Sequence, residues 1–333
     1  MLANNNEAII NKLAKNSVKT NRKQYAILFF TIILSAFMLF CVFTIGMTYL
    51  NSSRLQNTRL NGAEYDIVTM NGFTSEQLNT LQQNENIRSV GIESYAGFIQ
   101  STEYDKTVEI GLLWCDEVFW DNLMSPARTK LDGHYPQNKN ELMVTKDILK
   151  TCGNENLSVG DSLILTYENN TGVYTDEFVI SGIWDGYGDT SAGFVSKAFY
   201  DETGYDLKNN GILCIKLNCN YVFPTTIQSI EKSLDFSDRQ IFAPTGYIEN
   251  SFKLLLGICG LALVICLSAY LLIYNILYLS VSGKIRYYGL LQSLGMTKKQ
   301  LVRFIIKQMI LVGILGIFIG NLLGIILCMK LVP

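Results

Sequence analysis

One histidine, His134 in Gly133-His-Tyr-Pro136, serves the whole chain. That excludes a zinc site of the His-Glu-x-x-His kind, and a lone histidine before a proline turn reads as structural. No Gly-x-x-x-x-Gly-Lys-Ser/Thr loop is present, since Gly283-Lys284 is followed by Ile285. The chain therefore has no phosphate loop with which to hydrolyse ATP. A Gly-x-Ser-x-Gly nucleophile elbow is also missing. The acids Glu177, Asp185 and Asp189, near Trp184-Asp-Gly-Tyr-Gly-Asp189, fail the spacing of an EF-hand loop, so a solvated acidic loop is expected. These absences predict a non-catalytic chain without cofactor or metal.

Charge is missing just as selectively. Thirty residues between Lys23 and Arg54 carry none, nor do 30 between Lys253 and Lys284, nor 22 between Lys307 and Lys330. About 20 apolar residues suffice for a helix to cross a ~30 Å hydrocarbon layer, and a helix satisfies its own backbone where lipid cannot. Transmembrane helices are expected over residues 25–49, 252–281 and 308–329. The first run exceeds the roughly 7–15-residue apolar core of a signal peptide. Tyr49, Leu50 and Asn51 also make a poor small-residue cleavage site, so an uncleaved anchor is expected.

The 282–307 loop has six bases and no acid, and residues 1–24 have five bases against Glu7. The segment 51–252 holds 28 of the chain's 29 acids against 14 bases. The positive-inside rule then predicts a multi-pass protein of the cell membrane, with the N-terminus and the 282–307 loop cytoplasmic and the large segment extracytoplasmic. Nucleic-acid binding has no support, because the bases are juxtamembrane and membrane lipids account for them.

The expected organisation is a cytoplasmic interfacial helix (1–24), a first transmembrane helix (25–50) and an extracytoplasmic domain (51–251). A second transmembrane helix (252–281), a cytoplasmic hairpin (282–301) and a third helix (302–330) follow. In the first of these, Ile9, Ile10, Leu13 and Ala14 can face lipid while Lys12, Lys15 and Lys19 reach for headgroups; an ordinary basic flank is the competing reading. The fold class is thus membrane α-helical, three transmembrane helices with a large α+β domain inserted between helices one and two. That domain reads as strands at 65–70, 90–100, 108–113, 162–167, 178–184 and 212–217. Helices are expected at 74–84, with a Thr74/Gln77 capping box, and at 146–150 and 225–234. No internal repeat and no low-complexity tract occur.

Of eight cysteines, Cys41, Cys259, Cys266 and Cys328 fall in apolar runs and read as small fillers. Cys115, Cys152, Cys214 and Cys219 fall in the outer segment, where three disulfide pairings or free thiols are equally open.

Within the loop, Tyr287, Leu290, Leu291 and Leu294 recur at i, i+3, i+4 and i+7 as one apolar stripe. Gly295 follows as a left-handed terminator, and Thr297 with Gln300 forms a second capping box. Helix, glycine turn and helix reverse the chain. The stripe suits either a headgroup layer or a helix-in-groove contact with a partner protein. In the third helix Gly313, Gly316, Gly320 and Gly324 form a flat face with two GxxxG units, suited to close helix packing against the same chain or another.

Gly289-Leu-Leu-Gln-Ser-Leu-Gly295, followed by Met-Thr-Lys-Lys-Gln300, resembles the coupling segment of FtsX/MacB-type (type VII) ABC transporter permeases. The order of parts matches over essentially the whole chain, and Asn140-Glu-Leu-Met-Val144 and Val159-Gly-Asp161 are weaker matches to that family's outer domain. The family's usual Glu-Ile before Gly-Leu-Leu is here Tyr287-Tyr288, so one charged contact to a partner is expected to be absent. A fourth helix, usual in the family, is not in the sequence; an incomplete piece of a longer permease is expected, with a truncated relative as the alternative.

The resemblance implies a permease subunit that relays the motion of a separate ABC-type ATPase to the outer domain. It would export or extract peptides, antibiotics or lipoproteins by mechanotransmission. Tyr287, Gly289, Leu290, Leu291, Leu294 and Gly295 would form the coupling surface, and a second permease copy or module would be a further partner. Two rivals stand beside it: a non-transporting FtsX-like regulator of an extracytoplasmic partner such as a cell-wall hydrolase, and a plain membrane-anchored binding domain.

Overall fold

The structure, a computed structural model, describes residues 7–100, 110–187 and 192–331. Residues 4–6 of the expected interfacial helix, the start of the strand at 108–109 and Asp189 lie outside them. The chain forms two compact units, residues 51–253 and a helical unit made of the segments before and after them.

The helical unit contains α1 (Glu7–Thr20), α2 (Arg22–Asn61), α8 (Gly246–Ser282), α9 (Ile285–Ser293) and α10 (Lys298–Leu331), with the ends of α2 and α8 belonging to the other unit. α2, α8 and α10 are each long and apolar enough to cross a membrane. All three outrun the expected spans, because loss of hydropathy does not end a helix. α2 continues through Arg54 and Arg59 until Gly62, whose φ of 70° is left-handed.

Tyr25, Leu28 and Ile32 of α2 cluster with Val312 of α10, with Ile273 and Ile276 of α8 against them. The contacts Gly316–Ile32, Gly320–Ala36 and Gly324–Phe40 advance together, so α2 and α10 run parallel. Gly46 meets Ile258, whereas Ile273 and Ile276 lie beside Leu28 and Ile32, so α8 runs the opposite way. Consequently α1 and the α8–α10 loop lie at one end of the bundle.

The second unit is built on a ten-stranded sheet. Its strands are β1 (Ile67–Met70), β2 (Ile87–Ile99), β3 (Ile110–Cys115), β4 (Arg128–Gly133), β5 (Glu141–Thr145), β6 (Ser162–Asn169), β7 (Gly172–Gly186), β8 (Ala192–Val195), β9 (Ile212–Leu217) and β10 (Ile241–Pro244). The order is β10-β1-β9-β2-β3-β8-β5-β7-β4, with β6 pairing β2 and β7. Most pairs are antiparallel; β3–β8 and β5–β7 are parallel. Short helices α3 (Ser75–Gln83), α4 (Lys146–Thr151), α5 (Lys197–Tyr200), α6 (Leu207–Asn210) and α7 (Pro224–Ser233) connect them. Thr74 and Gln77 close the expected capping box on α3.

Three cores result. One gathers Leu112, Leu142, Leu163, Phe178 and Ile180. A second packs α3 and α7, through Leu81, Ile227 and Ile230, onto Ile67 and Ile215. The third holds Trp120, Met143, Trp184 and Phe194.

On β9, Lys216 lies 3.2 Å from both Asp66 and Glu64, and Asp66 also accepts from the Leu217 amide at 2.9 Å. Burial nonetheless holds the Asp66 carboxyl above the usual carboxylate range. Cys115, Cys152, Cys214 and Cys219 are free thiols. Cys115 and Cys214 sit on β3 and β9, either side of β2. Two strand spacings of roughly 4.8 Å separate them, too far for a disulfide.

Candidate functional site

The loop between α8 and α10 folds as the sequence directs. After Ser282, α9 runs for nine residues and ends in a Schellman turn. The Gly295 amide donates to Gln292 O at 3.0 Å and the Met296 amide to Leu291 O at 3.1 Å, with Gly295 at φ 98°. α10 then opens on a reciprocal box: the Thr297 amide donates to Gln300 Oε1 at 3.0 Å, and the Gln300 amide to Thr297 Oγ1 at 3.3 Å.

The apolar stripe is split. Tyr287, Leu290 and Leu294 are exposed, Leu294 at 83%. Leu291 turns inward and is half-buried beside Tyr288, Ile10, Ala14 and Phe304. The expectation that all four residues are presented together is therefore corrected. A stripe about 100° wide has an edge, and Leu291 lies on the edge nearest Tyr288. Gly289 is exposed, with open space where a Cβ would stand.

Leu291 and Tyr288 belong to a buried cluster to which both α1 and α10 contribute. Ile10 and Ala14, one turn apart, are 5% and 1% exposed, while Ile9 is half exposed. Glu7 Oε1 also lies 3.9 Å from Lys307 Nζ of α10. This corrects the expectation that Ile10 and Ala14 face lipid: they are buried in a cluster shared with α10 and the hairpin. An amphipathic helix seeks an apolar neighbour whether that is lipid or protein, and its own periodicity does not distinguish the two.

The glycine face resolves similarly. A Cβ at Gly316 would come 2.9 Å from Ile32, one at Gly320 2.6 Å from the Ile33 carbonyl, and one at Gly324 2.5 Å from the Phe40 ring. Gly313 lies off this face, with nothing near its Cβ direction among the described residues. The neighbour left open by the sequence is α2 of the same chain.

Residues missed by the sequence reading are Tyr25, Lys284 and Gln308, which meet where α2, the hairpin and α10 come together. The Tyr25 hydroxyl donates to Gln308 Oε1, and Lys284 Nζ lies 5.6 Å from the Tyr25 ring centre. Gln308 was visible as a polar residue opening an apolar run, but its partner 283 positions earlier was not.

Among solved structures the chain is similar to the periplasmic region of MacB from Actinobacillus actinomycetemcomitans, at 13% identity and TM-score 0.39, over 58% of this chain and 95% of that one. It is also similar to the extracellular domain of the ABC-type transporter YknZ from Gram-positive bacteria, at 13% identity and TM-score 0.35, over 54% and 98%. Comparison with curated proteins gives no match. The family model for the FtsX-like permease C-terminal region matches residues 259–331, which span most of α8, the hairpin and α10. The resemblance carried by Gly289–Gly295 is borne out there: residues 259–331 match the FtsX-like permease C-terminal model.

Proposed function

We propose that the chain is the permease subunit of an ABC complex, with α1 and the hairpin on the cytoplasmic side and residues 51–251 outside. In this reading Tyr287, Leu290 and Leu294 enter a groove of a separate ATPase, Gly289 allows close backbone approach, and Gly295 sets the turn. The subunit itself is non-catalytic. A second permease copy or module completes the complex, which exports or extracts peptide, antibiotic or lipoprotein substrates by mechanotransmission.

The observation that carries this reading is the exposed pair Leu290 and Leu294 on a hairpin whose other face is held by α1 and α10. Large apolar side chains at this spacing suit a helix-in-groove contact. The buried cluster shared by Tyr288 and Phe304 gives such a push a route into α10, and the glycine face gives α10 a tight hold on α2.

The test is Leu290→Asp with Leu294→Asp, which places carboxylates in the contact without disturbing the inward face. ATPase co-purification should fall on the order of tenfold or more, with membrane insertion intact. Undiminished co-purification would remove the docking role.

A further inference from the structure

The polar cluster at the loop end of the bundle has more donors than acceptors. Gln308 is 2% exposed. Its Oε1 is taken by the Tyr25 hydroxyl, but its Nε2 has no partner among the described residues. Lys284 Nζ is likewise buried and unpartnered among them, facing the Tyr25 ring. An amide donor left dry costs about 1–3 kcal/mol, and a dry ammonium costs more. Burial also lowers Lys284 from its ordinary value, as expected of a cation without a counter-charge.

Among the described residues the surrounding chain supplies no anion. Residues 282–307 contain no acid. Tyr288, which interacts with Tyr25, is a neutral phenol, and Glu7, the acid of α1, is directed at Lys307. The ring face of Tyr25 offers Lys284 a cation–π contact at most, at the outer limit of about 6 Å. Among the described residues these donors have no acceptor as the side chains stand, and a group that brings negative charge and several oxygens would serve both.

We propose that Lys284 and Gln308 bind a phosphate-type anion at the junction of α2, the hairpin and α10, supplied by an anionic phospholipid headgroup or by free phosphate. Phosphate oxygens match both donors through charge-assisted hydrogen bonds, and basic pockets between membrane helices suit such headgroups. Because Lys284 opens the hairpin and Gln308 lies in α10, the anion bridges the two elements that the proposed coupling motion would displace. The site itself does not depend on that motion or on an ATPase.

The experiment uses the full chain purified in mild detergent. Native mass spectrometry measures retention of phosphatidylglycerol against phosphatidylcholine, and thermal unfolding is followed with and without millimolar inorganic phosphate. The expected result is selective retention of phosphatidylglycerol, weakened at least tenfold by Lys284→Gln and unchanged by Lys298→Gln, an exposed lysine of the same loop. Gln308→Glu supplies the missing acceptor from within, and is expected to keep the fold while abolishing the selectivity. Stabilisation by phosphate without lipid selectivity, lost in Lys284→Gln, would identify free phosphate as the source. No selectivity and no phosphate effect, or effects indifferent to both Lys284→Gln and Gln308→Glu, would overturn the proposal. Lys284 would then be served by the Gln308 oxygen, with the amide turned over.

Discussion

Gly320 of α10 lies so close to Ile33 of α2 that a Cβ would stand 2.6 Å from the Ile33 carbonyl oxygen. Backbone cannot yield as a side chain can, so Gly320→Ala must separate the helices. The expected cost is about 1–3 kcal/mol. Gly313→Ala, three residues off the face and open, should be neutral or stabilising by up to about 1 kcal/mol through helix propensity. Thermal unfolding of the detergent-solubilised variants compares them; equal effects would refute the assigned face.

The Asp66–Lys216 pair gives a second contrast. Lys216→Met leaves a buried carboxylate without its cation, and should destabilise residues 51–253 by about 3–5 kcal/mol. Double replacement by apolar residues should recover most of that loss. All three tryptophans, Trp114, Trp120 and Trp184, lie in this unit, so tryptophan fluorescence during urea unfolding reports on it alone.

Glu93 predicts a pH dependence. Burial between Cys115 and Ile212 raises its carboxyl from an ordinary 4.5 to about 7. The folded state thus holds a proton that the unfolded chain has released. Stability from this group is greatest below pH 4.5 and declines as pH rises to about 7. The slope is at most about 1.4 kcal/mol per pH unit, and the decline levels off above that range. Glu93→Gln should flatten the urea midpoint across this window; an unchanged slope would assign it to another group.

Cysteine accessibility checks the sheet order. A membrane-impermeant maleimide should label exposed Cys219 in the native chain and reach Cys115 and Cys214 only on unfolding. Burial also pushes both of those thiols well up, away from the reactive thiolate. A Cys115–Cys214 disulfide in the mass spectrum would contradict the strand order β9-β2-β3.

Local chemistry was legible in the sequence wherever it was self-contained. The boxes at Thr74/Gln77 and Thr297/Gln300, the Gly295 turn and strand Ile212–Leu217 depend on residues within a few positions of one another. β4, a mostly polar edge strand, and the four-residue strands β8 and β10 carry too little pattern to be seen. At the candidate site the periodicity identified the apolar stripe but not its inward edge. Leu291 and Ile10 lie in one buried cluster although 281 positions apart, and neither helix announces the other.

The central claim is that the exposed face of the hairpin, Leu290 and Leu294, meets an ATPase. A photo-crosslinking residue at position 294 in native membranes, with mass spectrometry of what it captures, tests this most directly. The account predicts an ABC-type ATPase in the crosslinked product, and far less of it from position 291, which is half-buried in the cluster with α1 and α10. Capture of lipid alone from position 294 would contradict it, and would make the hairpin an interfacial re-entry loop beneath an anchored outer domain.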